Sequence, residues 1–191
     1  MASPPPHTAT IPAPGSGRLD GARVEVLVPA ERIRARVEEL GREISRDYAG
    51  RPLVVVGVLK GALVFLADLL RAVDLPVTVD FVGLSSYVGR ETSGEIRITA
   101  DLTRPIAGMD VLLVEDIVDT GLTMRWLVDH LAARGPASLA ICALLEKPGR
   151  HRVAVPVRYR GFEIADEFVV GYGLDWDGRL RNLPYVGVVR E

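Results

Sequence analysis

The chain has very little sulfur. Among 191 residues there is one cysteine, Cys142, set in the apolar run LAICALL. A single thiol excludes an intramolecular disulfide framework and a cysteine-cluster zinc site, and it suits a reducing cytoplasm. In that setting Cys142 reads as a small buried hydrophobe rather than a nucleophile. Net charge is also nearly absent: 23 Lys and Arg against 25 Asp and Glu leave −2. This argues against general binding to nucleic acid or to an anionic membrane. No apolar run approaches the ~18 residues of a membrane-spanning helix. The first twenty residues, MASPPPHTATIPAPGSGRLD, lack the apolar core of a secretory signal. They are rich in Pro, Ser, Thr and Gly, cannot bury a core, and are expected to form a disordered extension. No GxxxxGK[ST] occurs anywhere, so a P-loop is excluded.

What remains suffices for one globular domain over residues 21–191: 48% of the chain is hydrophobic and 25% charged. No internal repeat is present. ARVEVLV at 22–28 reads as a strand ended by Pro29. The next segment carries apolar residues at 33, 37, 40, 44 and 48, the spacing of a helix with one buried stripe. LVVVGVL at 53–59 is apolar on both faces, as a central parallel strand must be. GALVFLADLLRAV reads as a buried helix, VTVDFVGLSSY as a strand running into a polar loop, and IRITADL as the far side of a hairpin. VLLVED is a strand, GLTMRWLVDHLAARG a helix, and SLAICALLEK another two-sided apolar strand. Short strands GFEIA, FVVGYG and YVGVV finish the chain. Strands alternating with helices imply βαβ units and a mainly parallel sheet covered on both faces. Ligands of such sheets sit beyond the carboxyl ends of the strands. LKG, SSY, EDIVDTGLT and EKPG all fall there.

The stretch VLLVEDIVDTGLT, 111–123, is the most informative. Three carboxylates, Glu115, Asp116 and Asp119, fall within five residues at the end of an apolar strand. Thr120, Gly121 and Thr123 then lead into a helix. Free N–H groups at a helix start attract phosphate, glycine permits close approach, and threonine hydroxyls add donors. The blander alternative is an ordinary N-cap by Asp119 or Thr120. Glu115 and Asp116 are harder to explain so, because crowded carboxylates need a counter-charge. Side by side at a strand end, they suit a vicinal diol, a hydrated Mg²⁺, or both.

This stretch resembles the 5-phosphoribosyl-1-pyrophosphate (PRPP) binding motif of the type I phosphoribosyltransferases. LKGALVF, DFVGLSSY, TSGEIRI, LLEKPGR, DEFVVGYGLD and RNLPYVGV are similar to the bacterial hypoxanthine-guanine branch of that family. The resemblance extends over about residues 22–191. It implies a Rossmann-like α/β core, mainly parallel with helices on both faces, plus a small hood from the N-terminal strand and the C-terminal segment. It implies Mg²⁺-dependent transfer from PRPP to hypoxanthine or guanine, giving IMP or GMP and pyrophosphate.

By the same resemblance, Glu115 and Asp116 hold the ribose hydroxyls and metal, and Asp119, Thr120, Gly121, Leu122 and Thr123 cradle the 5′-phosphate. Asp119 also assists deprotonation of the purine near N7, the one catalytic assignment. Leu59, Lys60 and Gly61 form the pyrophosphate loop, often with a cis peptide at Leu59–Lys60. Ser86 and Tyr87 begin a lid over pyrophosphate that runs to Glu95, and Arg181 contacts pyrophosphate. Lys147 donates to the 6-oxo group, Phe168 stacks on the base, and the Val169 backbone reads its edge. Asp175 helps hold a second Mg²⁺. Trp176 stands where a tyrosine is commoner. The implied assembly is a homodimer or homotetramer in the cytoplasm, with no nucleic-acid or membrane partner. Two alternatives stay open: a xanthine- or pyrimidine-preferring transferase, which Lys147 and DEFVVGYGLD disfavour, and a non-catalytic nucleotide- or RNA-binding regulator.

Overall fold

In the computed structural model, residues 9–10, 23–86 and 96–190 are described. Six strands form the main sheet: β3 (Leu53–Leu59), β4 (Val77–Ser86), β5 (Ile96–Ala100), β6 (Asp110–Val118), β7 (Ser138–Glu146) and β8 (Val157–Glu163), in the order β5-β4-β3-β6-β7-β8. Every pairing is parallel except β4 with β5, the expected hairpin. Helices α1 (Ala30–Asp47), α2 (Leu63–Ala72) and α3 (Leu122–Ala132) cover it.

The two-sided apolar strands explain the layering. Leu53 and Val55 of β3 with Leu112 and Val114 of β6 pack against Ile33, Val37, Leu40 and Ile44 of α1 and Phe65, Leu66 and Leu69 of α2. Their strand neighbours Val54, Val56, Val111 and Leu113 face the other way, onto Met124, Leu127 and Leu131 of α3. The 33/37/40/44 stripe is thus the buried face of α1. Cys142 is fully buried, and burial pushes its thiol far up, out of reach of thiolate chemistry.

A second, antiparallel sheet joins β1 (Ala9–Thr10), β2 (Arg23–Val28), β10 (Val186–Arg190) and β9 (Val169–Val170) in the order β1-β2-β10-β9. This is the hood of N-terminal strand and C-terminal segment. Within the 1–20 stretch, Ala9 and Thr10 pair with Val24 and Arg23, while the remaining residues lie outside those described.

Two expectations need correction. The strand expected at GFEIA runs earlier, Val157–Glu163, because it pairs with β7 from Ile141 onward. Gly161 belongs inside it: a Cβ there would lie 2.3 Å from the Leu144 carbonyl oxygen, so only glycine lets the two strands approach. The strand expected over FVVGYG is cut to Val169–Val170. Gly171, Tyr172 and Gly173 take positive φ of 93°, 50° and 105°, turning the chain out of the ladder.

Candidate active site

In the main sheet, β3 connects through α2 to β4 on one side, and β6 connects through α3 to β7 on the other. The connections diverge between β3 and β6. That is where a doubly wound sheet opens a crevice beyond its strand ends. The loop after β3 is Lys60, Gly61, Ala62; the loop after β6 is Asp119, Thr120, Gly121.

The two loops meet closely. A Cβ built on Gly61 would stand 1.6 Å from Asp116 Oδ2, so the Asp116 carboxylate occupies the space a side chain would need. A Cβ on Gly173 would stand 2.1 Å from the Gly61 carbonyl oxygen. Gly61 thus sits between the Asp116 carboxylate and Gly173, which brings the C-terminal loop against the loop after β3. The Leu59–Lys60 peptide is cis, as the sequence resemblance implied. Lys60 is exposed.

The strand carrying Glu115 and Asp116 does not end there, as expected from sequence. β6 continues through Ile117 and Val118, which pair with Leu145 and Glu146 of β7. The two carboxyl groups stay in contact with each other, Glu115 Oε1 also accepting the Asp116 N–H at 3.0 Å, but they reach different neighbours. Asp116 turns to Gly61, and Glu115 lines a cavity of about 90 Å³ with Asp119, Thr120, Gly121 and Thr123. Glu115 is buried, and burial, then the neighbouring Asp116 charge, pushes its carboxyl well above the usual range. A cation would relieve this pair.

The helix start is not capped by Asp119 or Thr120. Gly121 occupies the N-cap with φ 80° and no side-chain bond closes the first turn. The Thr120 hydroxyl lies 3.5 Å from the Leu122 N–H, too far for a strong bond. Gly121 is required twice over. Its backbone is left-handed, and a Cβ would stand 2.8 Å from Val155 and 3.1 Å from the Val153 carbonyl. The segment after β7 thus lies along the loop, and Arg152 N–H donates to the Thr120 carbonyl at 2.9 Å.

Lys147 follows β7 directly. Its backbone N–H donates to the Val118 carbonyl at 2.9 Å, and its side chain is buried. Its ammonium lies 3.6 Å from both Asp119 and Asp166. Phe168 has 56% of its surface exposed, unusual for a phenylalanine, and meets Trp176 edge-on at 5.9 Å between ring centroids. Val169 is buried in β9. Arg181 donates to the Gly173 carbonyl at 2.6 Å and pairs with Asp175 at 2.5 Å, and Asp175 also accepts the Gly178 N–H. Ser86 ends β4, while Tyr87 and the lid expected up to Glu95 lie outside the described residues. Arg150 and Asp166 escaped sequence reasoning although both stand in or beside quoted motifs, LLEKPGR and DEFVVGYGLD. Only their approach to Asp119 and Lys147 reveals them.

A family model described as a phosphoribosyl transferase domain matches residues 24–177. The chain belongs to the phosphoribosyltransferase family. This phosphoribosyltransferase is 51% identical over 169 residues to hypoxanthine phosphoribosyltransferase of Salmonella typhimurium, spanning 87% of this chain and 95% of that one. It is 46% identical over 189 residues to hypoxanthine-guanine phosphoribosyltransferase of Mycobacterium avium, spanning 95% and 93%. Among solved structures it is similar to hypoxanthine-guanine phosphoribosyltransferase of Bacillus anthracis, with TM-score 0.81, 42% identity and coverage of 87% and 96%. Hypoxanthine phosphoribosyltransferase of Trypanosoma cruzi, solved with the product IMP, gives TM-score 0.81, 41% identity and coverage of 86% and 93%.

Proposed function

We propose that this phosphoribosyltransferase serves purine salvage, moving the 5-phosphoribosyl group of PRPP onto N9 of hypoxanthine or guanine. The bond from ribose C1 to pyrophosphate oxygen breaks, the bond from C1 to N9 forms, and IMP or GMP leaves with pyrophosphate. The observation that carries the reading is the buried Lys147 ammonium beside Asp119, next to the uncapped loop at the switch point. An ammonium donates and cannot accept, so it favours a 6-oxopurine over adenine.

Each part of the substrate has a matching group. The first-turn N–H groups of α3, with Thr120 and Thr123, suit the 5′-phosphate. Glu115 and Asp116 suit the ribose hydroxyls. Lys60, the Gly61 backbone and Arg181 suit pyrophosphate, with Leu59 setting the loop and Ser86 and Tyr87 opening the lid. Phe168 offers an exposed ring for stacking and Val169 its backbone. Asp119 would accept the purine proton, and its negative charge would favour a sugar becoming cationic.

Glu115 and Asp116 would hold one Mg²⁺ near the ribose diol, and Asp175, which pairs with Arg181, would help hold a second. Glu115 fits, being a buried carboxyl beside a second carboxylate, an arrangement that a cation would stabilise. When bound, Mg²⁺ neutralises charge on the departing pyrophosphate. A homodimer or homotetramer working in the cytoplasm is the proposed form. Light scattering tests the assembly.

An Mg²⁺- and PRPP-dependent assay across hypoxanthine, guanine, xanthine, adenine and uracil tests the reaction. Turnover of hypoxanthine or guanine with IMP or GMP formed is expected. Preference for adenine or uracil overturns the reading.

A further inference from the structure

Four charged side chains close a ring beside the phosphate loop. Asp119 Oδ1 accepts from Arg150 Nε at 3.0 Å, and Asp119 Oδ2 lies 3.6 Å from Lys147 Nζ. Asp166 repeats the pattern. Its Oδ2 accepts from Arg150 Nη1 at 2.9 Å, and its Oδ1 lies 3.6 Å from Lys147 Nζ. Cation and carboxylate alternate around the ring, and each carboxylate uses both oxygens to bridge both cations.

The distances divide the labour. Arg150 makes true hydrogen bonds to both carboxylates. Lys147, at 3.6 Å from each, is held by charge alone, so its N–H groups are not spent on either. Burial makes the difference matter: Lys147 is the enclosed member, whereas the Arg150 and Asp166 side chains are 42% and 58% exposed. The ring also joins two segments that are remote in sequence. Arg150 shares a tight turn with Lys147, its N–H donating to the Lys147 carbonyl at 2.9 Å, and Asp166 lies two residues before Phe168.

We propose that Arg150 and Asp166 are positioning residues for the purine, an inference resting on the transfer reaction proposed above. Arg150 clamps Asp119 and Asp166 apart. Asp166 gives Lys147 a second counter-charge, so that Lys147 keeps its place when Asp119 turns to the base. Without Asp166, Asp119 is the one carboxylate of the ring left beside Lys147; Arg150 still holds its Oδ1, and Lys147 is drawn onto the remaining Oδ2 as a direct pair. The pair would occupy the donor meant for the 6-oxo group and the acceptor meant for the ring proton together. Without Arg150, Asp119 is free to swing onto Lys147, with the same result. Both losses fall on the base. Of the phosphate cradle only the Asp119 side chain enters the ring; Thr120, Gly121, Leu122 and Thr123 lie outside it, so PRPP is largely spared.

Steady-state kinetics with hypoxanthine and PRPP varied separately test this on the full chain, its Asp166→Asn, Arg150→Gln and Arg150→Lys variants, and the Asp166→Asn/Arg150→Gln double variant. Asp166→Asn and Arg150→Gln each raise KM for hypoxanthine about tenfold, equivalent to ~1.4 kcal/mol. KM for PRPP stays within about twofold, and melting temperatures stay near wild type because both side chains are exposed. Arg150→Lys recovers part of the loss. The double variant loses less than the product of the two single effects, because both act through one ring. Unchanged hypoxanthine KM in the single variants, a parallel rise in PRPP KM, or effects that simply multiply would overturn the proposal. A wild-type chain inactive on 6-oxopurines would instead overturn the reaction itself, so the two failures are distinct.

Discussion

Gly61→Ala is the sharpest perturbation of the switch-point crevice. The added methyl carbon would stand 1.6 Å from Asp116 Oδ2, 2.5 Å from its Cγ and 3.1 Å from Oδ1. Comfortable contact between heavy atoms needs about 3.5 Å, so the carboxylate must retreat by roughly 2 Å. That motion also pulls Oδ1 from the Ile117 N–H it now accepts at 2.8 Å. Overpacking of this kind costs about 1–3 kcal/mol of stability. The functional loss should be larger. Misplacing a group by about 1 Å in an active site costs on the order of 100-fold. We therefore expect kcat/KM for PRPP to fall by about two orders of magnitude, with KM for the base little changed. Asp116→Ala removes the obstacle, so adding Gly61→Ala to that variant should cost almost nothing further. Initial-rate kinetics on the four proteins decide the matter. Wild-type PRPP kinetics in Gly61→Ala, or losses that multiply in the double variant, would refute the assignment of Asp116 to the substrate and of Gly61 to its accommodation.

Asp119→Asn should lower kcat about 100-fold, the low end for removing a general base, while leaving PRPP binding intact; unchanged kcat removes its catalytic role. Lys147→Ala should erode preference for 6-oxopurines over adenine, and base affinities equal to wild type would show that Lys147 does not read the ring. At the opposite end of β6, the Arg51 guanidinium and then the Ser138 hydroxyl hold the Asp110 carboxyl below its ordinary range. A carboxyl lowered on folding stabilises the protein above its unfolded value, and that stability drains as pH falls through the folded value. Arg51→Ala should therefore lower the melting temperature at pH 7, with the gap to wild type narrowing from about pH 5 downward. A gap independent of pH contradicts the linkage.

Much of this molecule was readable from sequence because its signals are local. The short, valine-rich run LVVVGVL, apolar on both faces, reads as a central strand, and the 33/37/40/44 spacing marks the buried side of α1. The candidate phosphate loop stands out in sequence by Asp119, Thr120, Gly121 and Thr123. Three things were not local. β6 runs on through Ile117 and Val118 because β7, beyond the intervening helix, offers them partners. The cap falls to Gly121 because Val153 and Val155 press on it from a distant segment. Arg150 and Asp166 gain meaning only where two chain segments meet around Lys147. Side-chain charge in a sequence shows what is available, whereas the pairing depends on topology.

Trp176, set edge-on against the exposed ring of Phe168, has an optical consequence. The chain holds only two tryptophans, and the other, Trp126, lies on α3 stacked on His130 with ring centroids 5.1 Å apart. A base stacked on Phe168 would change the surroundings of one indole and leave the second as an internal standard. The protein thus carries its own fluorophore at the place where the base is proposed to bind, and base occupancy becomes readable by emission without a label.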